Sequence, residues 1–130
     1  MTAFRRRAIS RLPSATVQEL DATTFDDAVA DTLILVDFWA PWCKPCLAIE
    51  PSLERLAEQV PVARLNIDEH PEIASRYSVL AIPTVIAFDH GEVRGTVYGA
   101  RSLEHYERWL AEVLPARELG ALAVQRQHDA

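Results

Sequence analysis

No run of apolar residues in this chain approaches the roughly 20 that a membrane-spanning helix needs. With 49% apolar and 25% charged residues, the balance is that of a soluble globular protein. Glycine is scarce, at four residues, and none lies in a phosphate-cradling loop. Internal repeats and low-complexity segments are absent. Cysteine stops at two, so no second pair exists to complete a four-ligand zinc site, and no metal is expected. The first eighteen residues hold Arg5, Arg6, Arg7 and Arg11 but no acid, which leaves the remainder with nine basic against nineteen acidic residues. A body so acidic argues against nucleic acid, whose phosphates require a basic face. A secretory signal is also missing: Ala8 to Ser14 contains Ser10, Arg11 and Pro13 where an apolar core of about seven residues would stand. A reducing, cytoplasmic setting is expected, with an organellar matrix as the alternative that the arginine-rich leader keeps open.

What is present centres on Phe38-Trp39-Ala40-Pro41-Trp42-Cys43-Lys44-Pro45-Cys46, which contains both cysteines. If a helix begins at Cys43, Cys46 follows one turn later, and residues three apart on a helix have neighbouring β-carbons. A bridge then closes with slight local adjustment. The first helical turn also carries unpaired N–H groups and a positive dipole end, which favour a thiolate at Cys43. Cys43 becomes the nucleophile of disulfide exchange and Cys46 the resolving thiol. Pro45 suits a first turn, where its missing N–H costs nothing, and Lys44 adds a cation beside the sulfurs. Both bear on redox tuning. A structural disulfide or a zinc site are the competing readings of a bare Cys-x-x-Cys.

At 130 residues and 14.6 kDa the chain reads as one domain, able to bury about two-thirds of its unfolded surface. Residues 1–14 read as a flexible leader, 15–115 as the domain and 116–130 as a tail. Ala15 to Leu20 suggests an edge strand, and Thr23 or Thr24 caps a short helix running to about Ala30. Leu33 to Trp39 is apolar on both parities except at Asp37, the pattern of a strand covered on both faces. Either Asp37 sits at an edge with its carboxylate in water, or burial raises its pKa and makes it a proton carrier. Its place near the carboxyl end of a strand favours the second reading. A helix from Cys43 to about Gln59 is bent by Pro51. Val62 to Asp68 is a second buried strand, and Pro71 to Tyr77 a short helix. Val85 to Phe88 turns through Asp89-His90-Gly91-Glu92 into Val93 to Tyr98, an antiparallel pair. Ser102 caps a last helix with a stripe of Leu103, Tyr106, Leu110 and Val113, ended by Pro115.

The nine-residue segment resembles the active-site segment of thioredoxins, and the resemblance extends over most of the chain. It implies an α/β thioredoxin fold: a central mixed sheet with parallel central strands, helices on both faces and the dithiol at a strand-to-helix turn. In that pattern Asp37 assists deprotonation of Cys46. Thioredoxins usually have Lys where Arg64 stands, a cation acting on the carboxylate and the resolving thiol. Arg64 keeps the charge but practically never deprotonates; a surface arginine with a snorkelling stem is the alternative. The resemblance also implies a cis Pro83 facing the disulfide, with Trp42, Pro41, Ile82, Gly99 and Ala100 forming a client-docking surface. Gly99 alone would equally suit a plain turn. The implied activity is protein-disulfide reduction by a monomer without a bound cofactor, recycled by a thioredoxin reductase using NADPH. Clients are disulfide-containing proteins, not membranes. An oxidant or isomerase on the same scaffold, or a binding subunit with idle thiols, are the alternatives.

Overall fold

The computed structural model describes residues 16–114. The leader, Ala15, Pro115 and the tail lie outside the described residues. Ten elements follow one another: β1 (Gln18–Leu20), α1 (Phe25–Ala30), β2 (Leu33–Trp39), α2 (Lys44–Ala48), α3 (Glu50–Leu56), β3 (Val62–Asn66), α4 (Pro71–Arg76), β4 (Thr84–Asp89), β5 (Glu92–Tyr98) and α5 (Leu103–Val113). The five strands form one sheet in the order β1-β3-β2-β4-β5. β2 is central, parallel to β3 and antiparallel to β4. β1 runs parallel to β3 at one edge, and β5 antiparallel to β4 at the other.

The two parities of β2 feed two cores. Leu33 and Leu35 pack with Ile49, Leu53 and Leu56 of the α2–α3 segment and with Tyr106 and Leu110 of α5. Ile34, Val36 and Phe38 pack on the opposite face with Phe25 and Val29 of α1 and Ile73 of α4. Because both faces are covered, no polar alternation survives in the strand.

Several boundaries differ from the sequence reading for local reasons. Pro51 splits the expected continuous helix at Ile49 into α2 and α3, since it has no N–H to offer and its ring crowds the carbonyl four residues back. The second piece stops at Leu56, where bonds from Glu58 N to Arg55 O and Gln59 N to Leu56 O tighten the chain into turns. β3 ends at Asn66 rather than Asp68, because the Asn66 Oδ1 accepts from Asp68 N at 2.9 Å and turns the backbone. Neither threonine caps α1 through its side chain. Thr24 holds the capping position without such a bond, and Asp21 anchors the turn before it, its Oδ1 accepting from the backbone N–H of Thr23 and Thr24 at 2.8 and 3.0 Å. Those bonds hold the Asp21 carboxyl below the usual range. Ser102 does cap α5, its Oγ accepting from His105 N at 3.1 Å.

Gly95 marks where β5 meets α5. A Cβ there would stand 2.7 Å from Val113 Cγ1 and 2.9 Å from Trp109 Nε1, inside contact distance. Gly95→Ala is expected to lower the free energy of unfolding by about 1–3 kcal/mol through overpacking, read by guanidinium titration. Adding Val113→Ala should recover part of that loss.

Candidate active site

β2 delivers the chain to the site and α2 receives it. After Trp39 the backbone turns, with Cys43 N donating to Ala40 O at 3.1 Å, and α2 starts at Lys44 with Pro45 in its first turn. Cys43 takes the capping position in an extended conformation, and its Sγ accepts from Cys46 N at 3.2 Å. The two residues form a disulfide with Cα atoms 5.3 Å apart. Both are buried, with Cys46 at 1% exposure beneath Cys43 at 4%. Their cluster is closed by Ala40 and flanked by Trp39, Ile67 and Ile82.

A second loop faces the sulfurs. The Ile82–Pro83 peptide bond is cis, and the Ile82 carbonyl oxygen lies 3.9 Å from Cys43 Sγ. Thr84 Oγ1 donates to Ala81 O at 2.6 Å, and Gly99 N donates to Pro83 O at 2.8 Å. That last bond brings the Gly99–Ala100 turn beside Pro83. Gly99 has φ +81°, a conformation that suits glycine, so its place is conformational as well as spatial. Trp42 is two-thirds exposed at the tip of the β2–α2 turn, and its Nε1 donates to Asp68 Oδ2 at 2.8 Å. Pro41, Lys44 and Pro45 are exposed beside it. Asp68 escaped the sequence reading; its only signal there is an acid just past a buried strand.

Asp37 is 1% exposed on the central strand rather than at an edge, and neither of its oxygens has a hydrogen-bond partner in the protein. Burial drives its pKa up to about 7, the neighbouring Arg64 pulls it down, and Glu50 and Glu19 push it up. Arg64 is the register partner of Asp37 on β3. Its guanidinium lies flat on Trp39, 3.6 Å from the ring centroid, with Nη1 3.0 Å from Glu50 Oε2. Nε is 3.2 Å from Glu19 Oε1, within ion-pair reach yet off line for a hydrogen bond. Arg64 is therefore largely enclosed, with 17% of its side chain exposed, and not a snorkelling surface residue. Glu19, Glu50 and the stacking role of Trp39 also went unread in the sequence. Among the described residues no group of three His, Cys, Asp or Glu side chains converges to hold a metal, and no helix is long and apolar enough to cross a membrane.

The buried carboxyl has a stability consequence. Asp37 keeps its proton in the folded chain up to about pH 7, whereas the unfolded chain releases it near 3.8. As pH rises between those values, the folded state binds more protons than the unfolded one, so stability falls and the full penalty applies above 7. Asp37→Asn removes the charge. In the oxidised protein it should unfold at higher denaturant than the parent at pH 8, by about 2–4 kcal/mol, and the gap should close by pH 4.

The family profile described as Thioredoxin matches residues 16–112. A thioredoxin from Alicyclobacillus acidocaldarius subsp. acidocaldarius is 41% identical over 104 residues, covering 77% of this chain and 99% of that protein. A bifunctional thioredoxin reductase/thioredoxin from Mycobacterium leprae is 38% identical over 105 residues, covering 77% of this chain but 23% of that longer protein. A solved mutant thioredoxin from Halobacterium salinarum NRC-1 superposes with TM-score 0.71 at 31% identity, over 78% of this chain and 96% of that one. A profile match along nearly all the described residues, in a chain whose two cysteines meet where a strand hands over to a helix, puts this protein in the thioredoxin family as a reductase of protein disulfides.

Proposed function

We propose that Cys43 attacks client disulfides and Cys46 releases them, with Asp37 taking the Cys46 proton. The observation that carries the division of roles is the bond from Cys46 N to Cys43 Sγ at the first turn of α2. A donor aimed at Cys43 favours its thiolate, whereas Cys46 is more fully buried and meets no such donor among the described residues. In the first step the Cys43 thiolate bonds to one client sulfur and the other client sulfur leaves as a thiolate. In the second, Cys46 gives its proton to the Asp37 carboxylate, bonds to Cys43 Sγ and expels the remaining client thiolate. Two electrons pass to the client, and the Cys43–Cys46 disulfide remains. Arg64 biases Asp37 by its charge.

Clients dock in extended form along Ile82, whose backbone faces Cys43, with Trp42, Pro41, Pro83, Gly99 and Ala100 as the apolar surround. A thioredoxin reductase spending NADPH returns the dithiol; the fused relative from Mycobacterium leprae supports that pairing. The domain spans 15–115, between a leader of residues 1–14 and a tail of residues 116–130, and works as a cytoplasmic monomer. Lys44, next to the nucleophile, favours its anion and moves the couple toward the oxidising end, which is the feature behind an oxidant or isomerase reading.

Cys46→Ser should accumulate covalent complexes with disulfide-bearing proteins, visible on non-reducing gels, and Cys43→Ser should accumulate none. The opposite pattern reverses the roles. In stopped-flow reduction of a model protein disulfide, Asp37→Asn should slow resolution by about tenfold or more while leaving attack nearly unchanged. The resolution rate of the parent should rise with pH through an inflection near 7 that the variant lacks.

A further inference from the structure

Glu19, Arg64 and Asp37 stand in one row across three neighbouring strands, because β1 pairs Glu19 with Arg64 and β2 pairs Asp37 with the same residue. Paired residues of parallel strands project to the same face, so the guanidinium has a carboxylate on either side along the row and a third, Glu50, above it from α3. Arg64 makes its ion pairs with Glu50 and Glu19 and leaves the carboxylate of Asp37 without a hydrogen bond. Glu19 is doubly engaged: its Oε1 faces Arg64 and its Oε2 accepts from Trp39 Nε1 at 3.1 Å, while the guanidinium lies on the same indole. Ring, cation and carboxylate thus form a closed triangle, pinned from the helix side by Glu50.

We propose that Glu19 and Glu50 are positioning residues that clamp the Arg64 guanidinium on the Trp39 ring and thereby keep its charge from pairing with Asp37. The inference rests on the reading of Asp37 as the acceptor of the Cys46 proton. Its physical basis is competition for one cation: a guanidinium held by two carboxylates and a ring is less free to pair with a third carboxylate, so the burial that raises Asp37 is only partly offset. An unclamped guanidinium facing Asp37 would reverse the balance and hold it ionised, with little affinity for a proton. The clamp also suits arginine specifically: a flat guanidinium presents donors in two directions while stacking, which a single ammonium does not.

The groups that interact with Asp37 come from four surrounding elements: Glu19 from β1, Arg64 from β3, Glu50 from α3 and Tyr106 from α5. From β4 its partner is the apolar Val85. Burial raises the Glu19 carboxyl, against the pull of Trp39 and Arg64. The Glu19 and Glu50 side chains are 50% and 35% exposed, so solvent weakens their direct push on Asp37 and leaves control of Arg64 as their main lever.

The test follows the Asp37 carboxyl carbon by NMR through a pH titration of the oxidised full chain, in the parent, Glu50→Gln, Glu19→Gln, and each of these with Arg64→Met. Either glutamine variant should lower the Asp37 midpoint by about one pH unit, and the shift should shrink by more than half when Arg64 is Met. No shift in either glutamine variant overturns the proposal. A shift of equal size with and without Arg64 overturns it too, because the carboxylates then act on Asp37 directly. Resolution rates separate this from the proton-acceptor reading. If Asp37 shifts as expected while the pH profile of resolution stays put, the clamp stands and Asp37 is not the acceptor.

Discussion

The Cys46 N–H can donate to Cys43 Sγ because β2 stops at Trp39 and the chain, after one turn, begins a helix with Cys43 in the capping position. An ordinary cap offers a side-chain oxygen to the free N–H groups of a first turn. Here the Cys43 sulfur takes that place and accepts the Cys46 N–H at 3.2 Å. The same turn encloses Cys46 slightly more fully than Cys43, in a cluster with Ala40 that Ile67 and Ile82 flank.

Asp37 is the cost of that arrangement. A carboxyl with no partner, set among Leu35, Val85 and Tyr106 on the side of the sheet that α2, α3 and α5 cover, weakens the fold at neutral pH. The surrounding charges set how far it is perturbed. Burial raises it most and Arg64 pulls the other way, while two glutamates and an indole engage the same cation. A buried acid poised near neutrality results first from its burial, with charges on three other elements adjusting it.

Much of the layout was legible in the chain. The double-parity apolar run of β2, the hairpin of β4 and β5, the Ser102 cap and the stripe of α5 depend on neighbours a few residues away, where spacing and chemistry act directly. Pro51 showed where a helix would bend, although not that the bend would become a break. The details that differ have the same scale: Thr24 stands in the capping position of α1 while Asp21, not Thr24, makes the side-chain bonds of that turn, and the side chain of Asn66 ends β3 early. In both, a short polar side chain bonds its own backbone more readily than its neighbour does.

Residue order alone determined that two thiols would lie one helical turn apart at a helix start, and that a carboxyl would sit in a strand with no wet face. Spacing and hydrophobic parity act within a few residues, so they are readable before folding. Tertiary structure alone decided which groups meet those residues. Trp42 finds Asp68 across 26 positions, Trp39 finds Glu19 across 20, and Cys43 finds Ile82 across 39. Such pairings follow from the strand order β1-β3-β2-β4-β5, in which segments distant along the chain become neighbours, and linear pattern holds no record of that order.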